Sequence, residues 1–528
     1  MMRATGGNAG CEDRRAAVML LIVVAVWTLE LFAVQAMSFC FDYPVSALKR
    51  VGAQTIRFLL DATFCWGCVF LLPRGFLVAG FIGFTVFAQI AGYYEAVFGR
   101  ALTLTTMQAQ WAEGFAGARF DWAYMNKPLL LALLMTLAIK VGLLSYTRRS
   151  DFPRRTLRWT WVPAWAGYCL LAVWTVGWID PPRKLRTFVT GDRLGMTYGF
   201  ALLWAGEAVY LNQEQLLQEA VSQRVNTTDR LSAVEPPLAL AGDVVLIQVE
   251  SLDWRVLNHC VNGKPVTPFL NRLSREAMLF KLTAFHTNGS GDADFVMLNA
   301  VPPSPVVITY ALTRYPYSDT LPQVAKRIGY KTAAFHGNSG HFFSRAQAFA
   351  RMGFDELWFL EEMRDMRGLP VGLWGIRDDR VLAFSQTLLR NPMETRRRLH
   401  YIITLTSHQP FTYLEPEERT FMPEEGNMLG RYFDSMNFVD RHLAAYVDGL
   451  AQGTLIIIFG DHRAMVDYNS AAGGDDRAEH VPLLIHRVGE KLAERQVSRL
   501  MPLANSGELT MLDAASYIRV LFRKTDGK

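Results

Sequence analysis

The stretch Leu455-Ile456-Ile457-Ile458-Phe459-Gly460-Asp461-His462 decides how the chain is read. An unbroken apolar run cut off by Gly-Asp-His describes a central strand buried on both faces. Open α/β sheets place ligands at the C-terminal tips of such strands. An Asp and a His side by side at that tip can converge on one divalent cation if the backbone turns there. The same pair would also fit a plain strand-to-turn junction, with a solvated Asp and a structural His.

Outward from this run the pattern alternates. Residues 244–249, 331–335, 401–405 and 481–485 read as short apolar strands. Residues 268–278, 431–450 and 506–519 carry helical spacing. Strands alternating with amphipathic helices imply a mostly parallel sheet covered on both faces.

The N-terminal part is of another kind. Half of the 528 residues are hydrophobic (51%), only 20% are charged, and mean hydropathy is slightly positive. The apolar residues concentrate in segments at 16–36, 55–73, 76–97, 127–146 and 160–180, each near the ~20 residues that a bilayer core requires. Pro73-Arg74 makes a tight connection between the second and third. The first segment is too long for a signal-peptide core. Arg148, Arg149, Arg154, Arg155 and Arg158 form a dense basic loop that should stay cytoplasmic. Five crossings from a cytoplasmic start then deliver everything after about residue 181 to the outer side. Lys49, Arg50 and Arg57 run against that topology, and Lys140 lies inside the fourth segment. Asp61 and Glu95 are expected near helix ends or at the interface.

The expected layout is a five-helix transmembrane domain (1–181), a helical juxtamembrane linker (182–241) and an extracytoplasmic catalytic domain (242–528). The net charge of +5 is modest, and much of the arginine reads as topology signal, so no nucleic-acid partner is expected. Five of the six cysteines precede residue 170, which excludes a disulfide framework in the soluble part.

Polar residues gather at the strand tips. The 244–249 strand ends in Glu250-Ser251. In His286-Thr287-Asn288-Gly289-Ser290-Gly291-Asp292-Ala293-Asp294-Phe295 a serine sits between two glycines just before a helix start, where its hydroxyl is exposed and anions are favoured. N-capping is the alternative role for Ser290. Phe335-His336-Gly337-Asn338, followed by Arg345, and Thr406-Ser407-His408 complete the set. Five histidines (286, 336, 408, 462 and 480) lie at or near strand ends.

Taken in order, Ile247–Ser251, Val266–Leu270, Gly289–Phe295, Phe335–Asn338 with Arg345, Trp374-Gly375-Ile376-Arg377-Asp378 and Phe459–His462 resemble the lipoteichoic acid synthase family. That family lies within the alkaline phosphatase and sulfatase-like superfamily. The resemblance implies an N-terminal α-helical transmembrane bundle followed by an α/β, alkaline-phosphatase-like catalytic domain with a mostly parallel central sheet. It also implies that Glu250, Ser290, Asp461 and His462 hold one divalent metal, Mn²⁺ or Zn²⁺. Ser290 stands where the family usually has a nucleophilic threonine. His336, Arg345 and His408 would hold the donor's phosphate and head group, with His408 as general acid. His480 looks more like the related phosphoethanolamine transferases, where such a histidine contacts the head group or a second metal. No Cys or Ser stands in the Cys/Ser-x-Pro-x-Arg context that sulfatases use for formylglycine formation.

The residue types suit the chemistry. A hydroxyl is a poor nucleophile at neutral pH, and a metal lowers the cost of ionising it. Arginine and the cation neutralise phosphoryl oxygens, and imidazole titrates near working pH. The expected activity is transfer of phosphoglycerol from phosphatidylglycerol, through Ser290, to a glycan or polyglycerophosphate hydroxyl. The site would lie on the outer side of a multi-pass inner membrane, facing the periplasm or exterior. Two alternatives stand beside it: a phosphoethanolamine transferase acting on lipid A or an envelope glycan, and a non-catalytic membrane protein that binds lipid head groups.

Overall fold

A strand with no polar face must be covered on both sides, and in the computed structural model of the chain Leu455–Gly460 runs through a seven-stranded sheet with every residue buried. The structure describes residues 6–38, 47–98, 125–147, 213–223, 242–286, 288–305, 307–367, 374–421, 427–464, 480–490 and 509–523, with isolated positions between them. Contacts divide the chain into an N-terminal helical unit and a unit built from Gln213 onward.

The sheet strands are β1 (Val244–Val249), β2 (Met278–Thr283), β3 (Lys331–His336), β4 (Glu356–Trp358), β5 (Arg398–Ile403), β6 (Leu455–Gly460) and β7 (His480–Arg487), in the spatial order β2-β7-β6-β1-β5-β3-β4. All neighbours pair in parallel except β7, which is antiparallel to both β6 and β2. The register places the site. Val249 pairs with Gly460, Gln248 with Ile403, and His336 with Ile403, so β1, β3, β5 and β6 end at one level. Because β7 runs the other way, its first residue, His480, comes to the same edge.

One sheet face, through Val245, Ile247, Val249, Ile456 and Ile458, packs against the helices Pro268–Glu276, Asp378–Leu389 and Met428–Asp448. The first of these helices gains its N-terminal partners from the third: Asp440 accepts from Phe269 N and Leu270 N, both at 2.8 Å. The other face is covered by Gly291–Asn299, Leu321–Arg327, Arg345–Met352 and Met511–Arg523.

The expected 268–278 helix stops at Glu276, and Met278 opens β2 instead. Its residues alternate between buried and half-buried, as an outermost strand with one covered face requires. The strand expected at 401–405 begins three residues earlier, at Arg398.

The N-terminal unit contains α1 (Gly6–Ser38), α2 (Ala47–Leu71), α3 (Arg74–Phe98) and α4 (Lys127–Tyr146), and α1 packs on the other three. Among the described residues three helical stretches are long and apolar enough to cross a membrane: Arg14–Met37, Arg74–Tyr94 and Lys127–Tyr146. α2 is long but carries Lys49, Arg50, Arg57 and Asp61. Asp61 is not at a helix end, as expected, but buried in the body of α2, where it accepts from Gln35 Nε2 at 2.8 Å. Lys140 and Thr136 of α4 both bind Glu30 of α1. The apolar segment at 160–180 lies largely outside the described residues, as does the side chain of Glu95.

Candidate active site

Glu250 follows β1 directly, and Ser251 takes a left-handed backbone (φ 57°) that turns the chain across the sheet edge. The turn is held by Glu250 N donating to Thr404 Oγ1 (2.9 Å) and by Ser407 Oγ donating to the Glu250 carbonyl (2.6 Å). At the end of β6 only a glycine fits: a Cβ on Gly460 would stand 2.1 Å from the Leu252 carbonyl oxygen. That close approach brings Asp461 and His462 onto Glu250.

One oxygen of Asp461, Oδ1, accepts from Ser251 N and His462 N, both at 2.8 Å, which fixes the carboxylate. The other, Oδ2, is buried with no hydrogen-bond partner among the described residues. His462 Nε2 lies 3.0 Å from Glu250 Oε1. Ligand atoms of Glu250, Asp461 and His462 all fall within 4.8 Å of one another, and all three residues are buried. Burial opposes a charge on the His462 imidazole, but Asp461 and Glu250 outweigh it and push its pKa up to about 10. Burial, then the Glu250 charge, drives the Asp461 carboxyl well above its usual range. Burial also opposes charge on Glu250, yet His462 and His408 hold its carboxyl well below that range. Two buried carboxylates thus demand a positive charge between them. With the orphaned Asp461 Oδ2, this donor set of two carboxylates and an imidazole fits a divalent cation such as Mn²⁺ or Zn²⁺.

Ser290 arrives from the opposite side, on the loop after β2, at the N-terminus of the helix Gly291–Asn299. Its hydroxyl makes no capping bond. Instead Arg345 Nη2 donates to Ser290 Oγ at 3.3 Å. Tyr401 OH donates to Gln248 Oε1 (2.6 Å), which turns the amide so that Nε2 reaches the Ser290 carbonyl at 3.4 Å. The Ser290 turn is therefore tied to β1 two residues before Glu250.

Arg345 is almost entirely buried and paired with Asp294, Nε to Oδ2 at 2.7 Å. Its Nη1 lies 3.4 Å from His336 Nε2, while His336 Nδ1 lies 3.1 Å from the Ile403 carbonyl. That network assigns the proton to Nδ1, leaving Nε2 to accept from the arginine. Burial, followed by the Arg345 charge, lowers the His336 pKa to about 3, so this imidazole is neutral. His408 follows β5 with its ring 4.5 Å from that of Trp374 and Nδ1 2.7 Å from the Gln409 carbonyl. His480 heads β7 opposite Thr283, and the ligand cluster found among the described residues does not include it.

Two residues, Asp294 and Asp378, were given no role by sequence reasoning. Asp294 is the buried counter-charge to Arg345. Asp378 accepts from Leu405 N (2.7 Å) and Thr406 N (2.8 Å), which pins the loop carrying His408. The His286 ring stacks on His462 at 4.0 Å. Asp294 and Asp378 lie inside motifs already quoted, but nothing in those motifs says what they touch.

The sulfatase family profile matches residues 242–507, and the chain belongs to that family. Lipoteichoic acid synthase 2 of Bacillus subtilis is 27% identical over 274 residues, covering 47% of this chain and 41% of that protein. Lipoteichoic acid synthase of Staphylococcus aureus is 26% identical over 295 residues, covering 52% and 45%. The chain therefore spans less than half the length of the curated relatives it matches. The solved structure of the integral membrane protein lipooligosaccharide phosphoethanolamine transferase A from Neisseria meningitidis shares the fold over 96% of this chain and 95% of its own, with a TM-score of 0.56 at 15% identity.

Proposed function

We propose that the protein is a membrane-anchored, metal-dependent phosphotransferase that moves phosphoglycerol from phosphatidylglycerol, through Ser290, to a glycan or polyglycerophosphate hydroxyl. The carrying observation is the Ser290 hydroxyl held by Arg345, on a residue whose backbone carbonyl Gln248 ties to the strand that leads into Glu250. The transmembrane, linker and catalytic segments at 1–181, 182–241 and 242–528 belong to this reading, as does a catalytic domain on the outer side of the inner membrane.

Ser290 Oγ attacks the donor phosphorus, and the bond to the diacylglycerol oxygen breaks. His408 gives that oxygen its proton, leaving diacylglycerol and a phosphodiester on Ser290. The Ser290 proton passes to solvent in that first half; an acceptor hydroxyl then attacks the same phosphorus and gives its proton to His408, and the Ser290 oxygen leaves and takes a proton back from solvent, so that serine and His408 are both restored. Arg345 holds the phosphoryl oxygens through the charge that Asp294 keeps in place, and the neutral His336, together with His480, lines the head-group side. A divalent cation held by Glu250, Ser290, Asp461 and His462 would supply Lewis-acid charge that lowers the cost of ionising the serine.

Fluorescent phosphatidylglycerol tests this directly: Ser290→Ala should stop diacylglycerol release, and unchanged turnover would refute the nucleophile. A second reading, phosphoethanolamine transfer, is favoured by His480 at the site edge. Mass spectrometry of trapped enzyme separates the two, because the mass on Ser290 is that of glycerophosphate or of phosphoethanolamine.

A further inference from the structure

We infer that Phe343 is a positioning residue for the Ser290 turn, its ring filling the space that Gly289 and Gly291 leave by lacking a side chain. The inference rests on the reading of Ser290 as nucleophile. A Cβ built on Gly289 would lie 3.1 Å from Phe343 Cζ, and one on Gly291 would lie 3.2 Å from Phe343 Cδ2 and 3.3 Å from Ile308 Cδ1. The ring is itself buried (7% exposed). One edge of the ring, from Cδ2 to Cζ, thus lies against the backbone on both sides of the serine.

The backbone that delivers this ring is strained. Phe343 (φ 58°) and Ser344 (φ 57°) are consecutive non-glycine residues in the left-handed region, an arrangement that persists only where its surroundings enforce it. The effect of the two strained residues is geometric. They let residue 343 press on the Ser290 backbone while residue 345 reaches the Ser290 hydroxyl at 3.3 Å, with the guanidinium carbon 5.1 Å from the Phe343 ring. Without a bulky apolar side chain at 343, the turn would keep its hydroxyl but lose what fixes its distance from Arg345; a leucine keeps part of that bulk. Misplacement by an ångström is costly for a reacting group.

Gly291 gives the cleaner test, because only Gly289 of the two has a left-handed φ (118°). An alanine at 291 is therefore allowed by the backbone, and among the described residues Phe343 and Ile308 stand nearest its Cβ. The full-length protein, purified in detergent, is compared as wild type, Gly291→Ala, Phe343→Leu and the double variant. Diacylglycerol release and mass-detected Ser290 adduct are measured beside melting temperature. Gly291→Ala should lower kcat by about tenfold or more with KM within about twofold, Phe343→Leu should cost much less, and the double variant should recover most of the loss, a non-additive result expected of residues in contact. Wild-type kcat in Gly291→Ala, or simple additivity of the two changes, would overturn the inference. If the wild type forms no Ser290 adduct, the nucleophile reading fails separately. The melting temperatures of the four proteins then decide the clamp alone: non-additivity upholds the contact, and additivity removes it.

Discussion

Arg345 and Asp294 form an ion pair at 2.7 Å with side chains 1% and 0% exposed, and the remaining guanidinium nitrogens point at Ser290 and His336. A charge so enclosed survives only with its partner, and removing one member of a buried pair costs about 3–5 kcal/mol. Asp294→Ala should therefore lower stability by that order and take activity with it. Arg345→Lys keeps a charge but cannot reach Asp294, His336 and Ser290 from one planar group. It should lose about a hundredfold in kcat with a smaller fall in stability. Denaturant melts and turnover measured on the same preparations separate the two effects; equal losses of activity and stability in Arg345→Lys would argue for a purely structural arginine.

Ser290 invites a conservative exchange. Its side chain is half-buried and makes no capping bond, so an added methyl meets no lost hydrogen bond. Ser290→Thr should keep turnover within about tenfold, roughly 1.4 kcal/mol in barrier. Ser290→Ala should show no adduct by mass spectrometry. A threonine variant as dead as the alanine would mean that the turn requires serine for its shape and not for its hydroxyl.

Removing a bound cation should be felt beyond activity. Glu250, Asp461 and His462 lie within 4.8 Å of one another, so a ligand that binds them in the folded state stabilises by mass action. At a hundredfold excess over its Kd a cation adds about 2.7 kcal/mol. Extensive chelation should lower the melting temperature, Mn²⁺ or Zn²⁺ should restore it, and Asp461→Asn should abolish the restoration. A melting curve indifferent to chelator and metal would remove the cation from the site.

The readable part of this protein was its strongest local patterns. The apolar run 455–459 announces a buried strand, and 244–249 announces another ending in an acid; both are strands in the sheet. What brings their tips together is the parallel register of Val249 with Gly460, a non-local pairing that no single strand encodes. β2 was hidden because its six-residue alternation starts one residue after a helix, where period two and period 3.6 cannot be told apart. Asp294 was visible as an acid in a first helical turn, but its partner arrives from a helix fifty residues on. α2 was read as a segment at 55–73, but the helix begins at Ala47, and the partner of its buried Asp61, Gln35, lies on another helix.

Acid stability should depend on a buried histidine outside the site. His400 lies in β5 with Nδ1 2.8 Å from Ser385 Oγ and its ring 4.7 Å from that of Phe335. Burial, then the charges of Arg398 and Lys331, lowers its pKa to about 3. In the unfolded chain an unperturbed histidine titrates near 6.5. Between those two values the unfolded state binds a proton that the folded state refuses, so stability rises with pH across the window and is lost as pH falls below about 6.5. Each such group contributes a slope of up to about 1.4 kcal/mol per pH unit. His336, lowered to about 3 in the same way, adds a second share. His400→Gln, which can still meet Ser385, should therefore flatten but not abolish the fall in urea midpoint between pH 6 and 4.5. If wild type and variant fall in parallel, His400 is protonated in the fold, and its burial does not drive the acid limb.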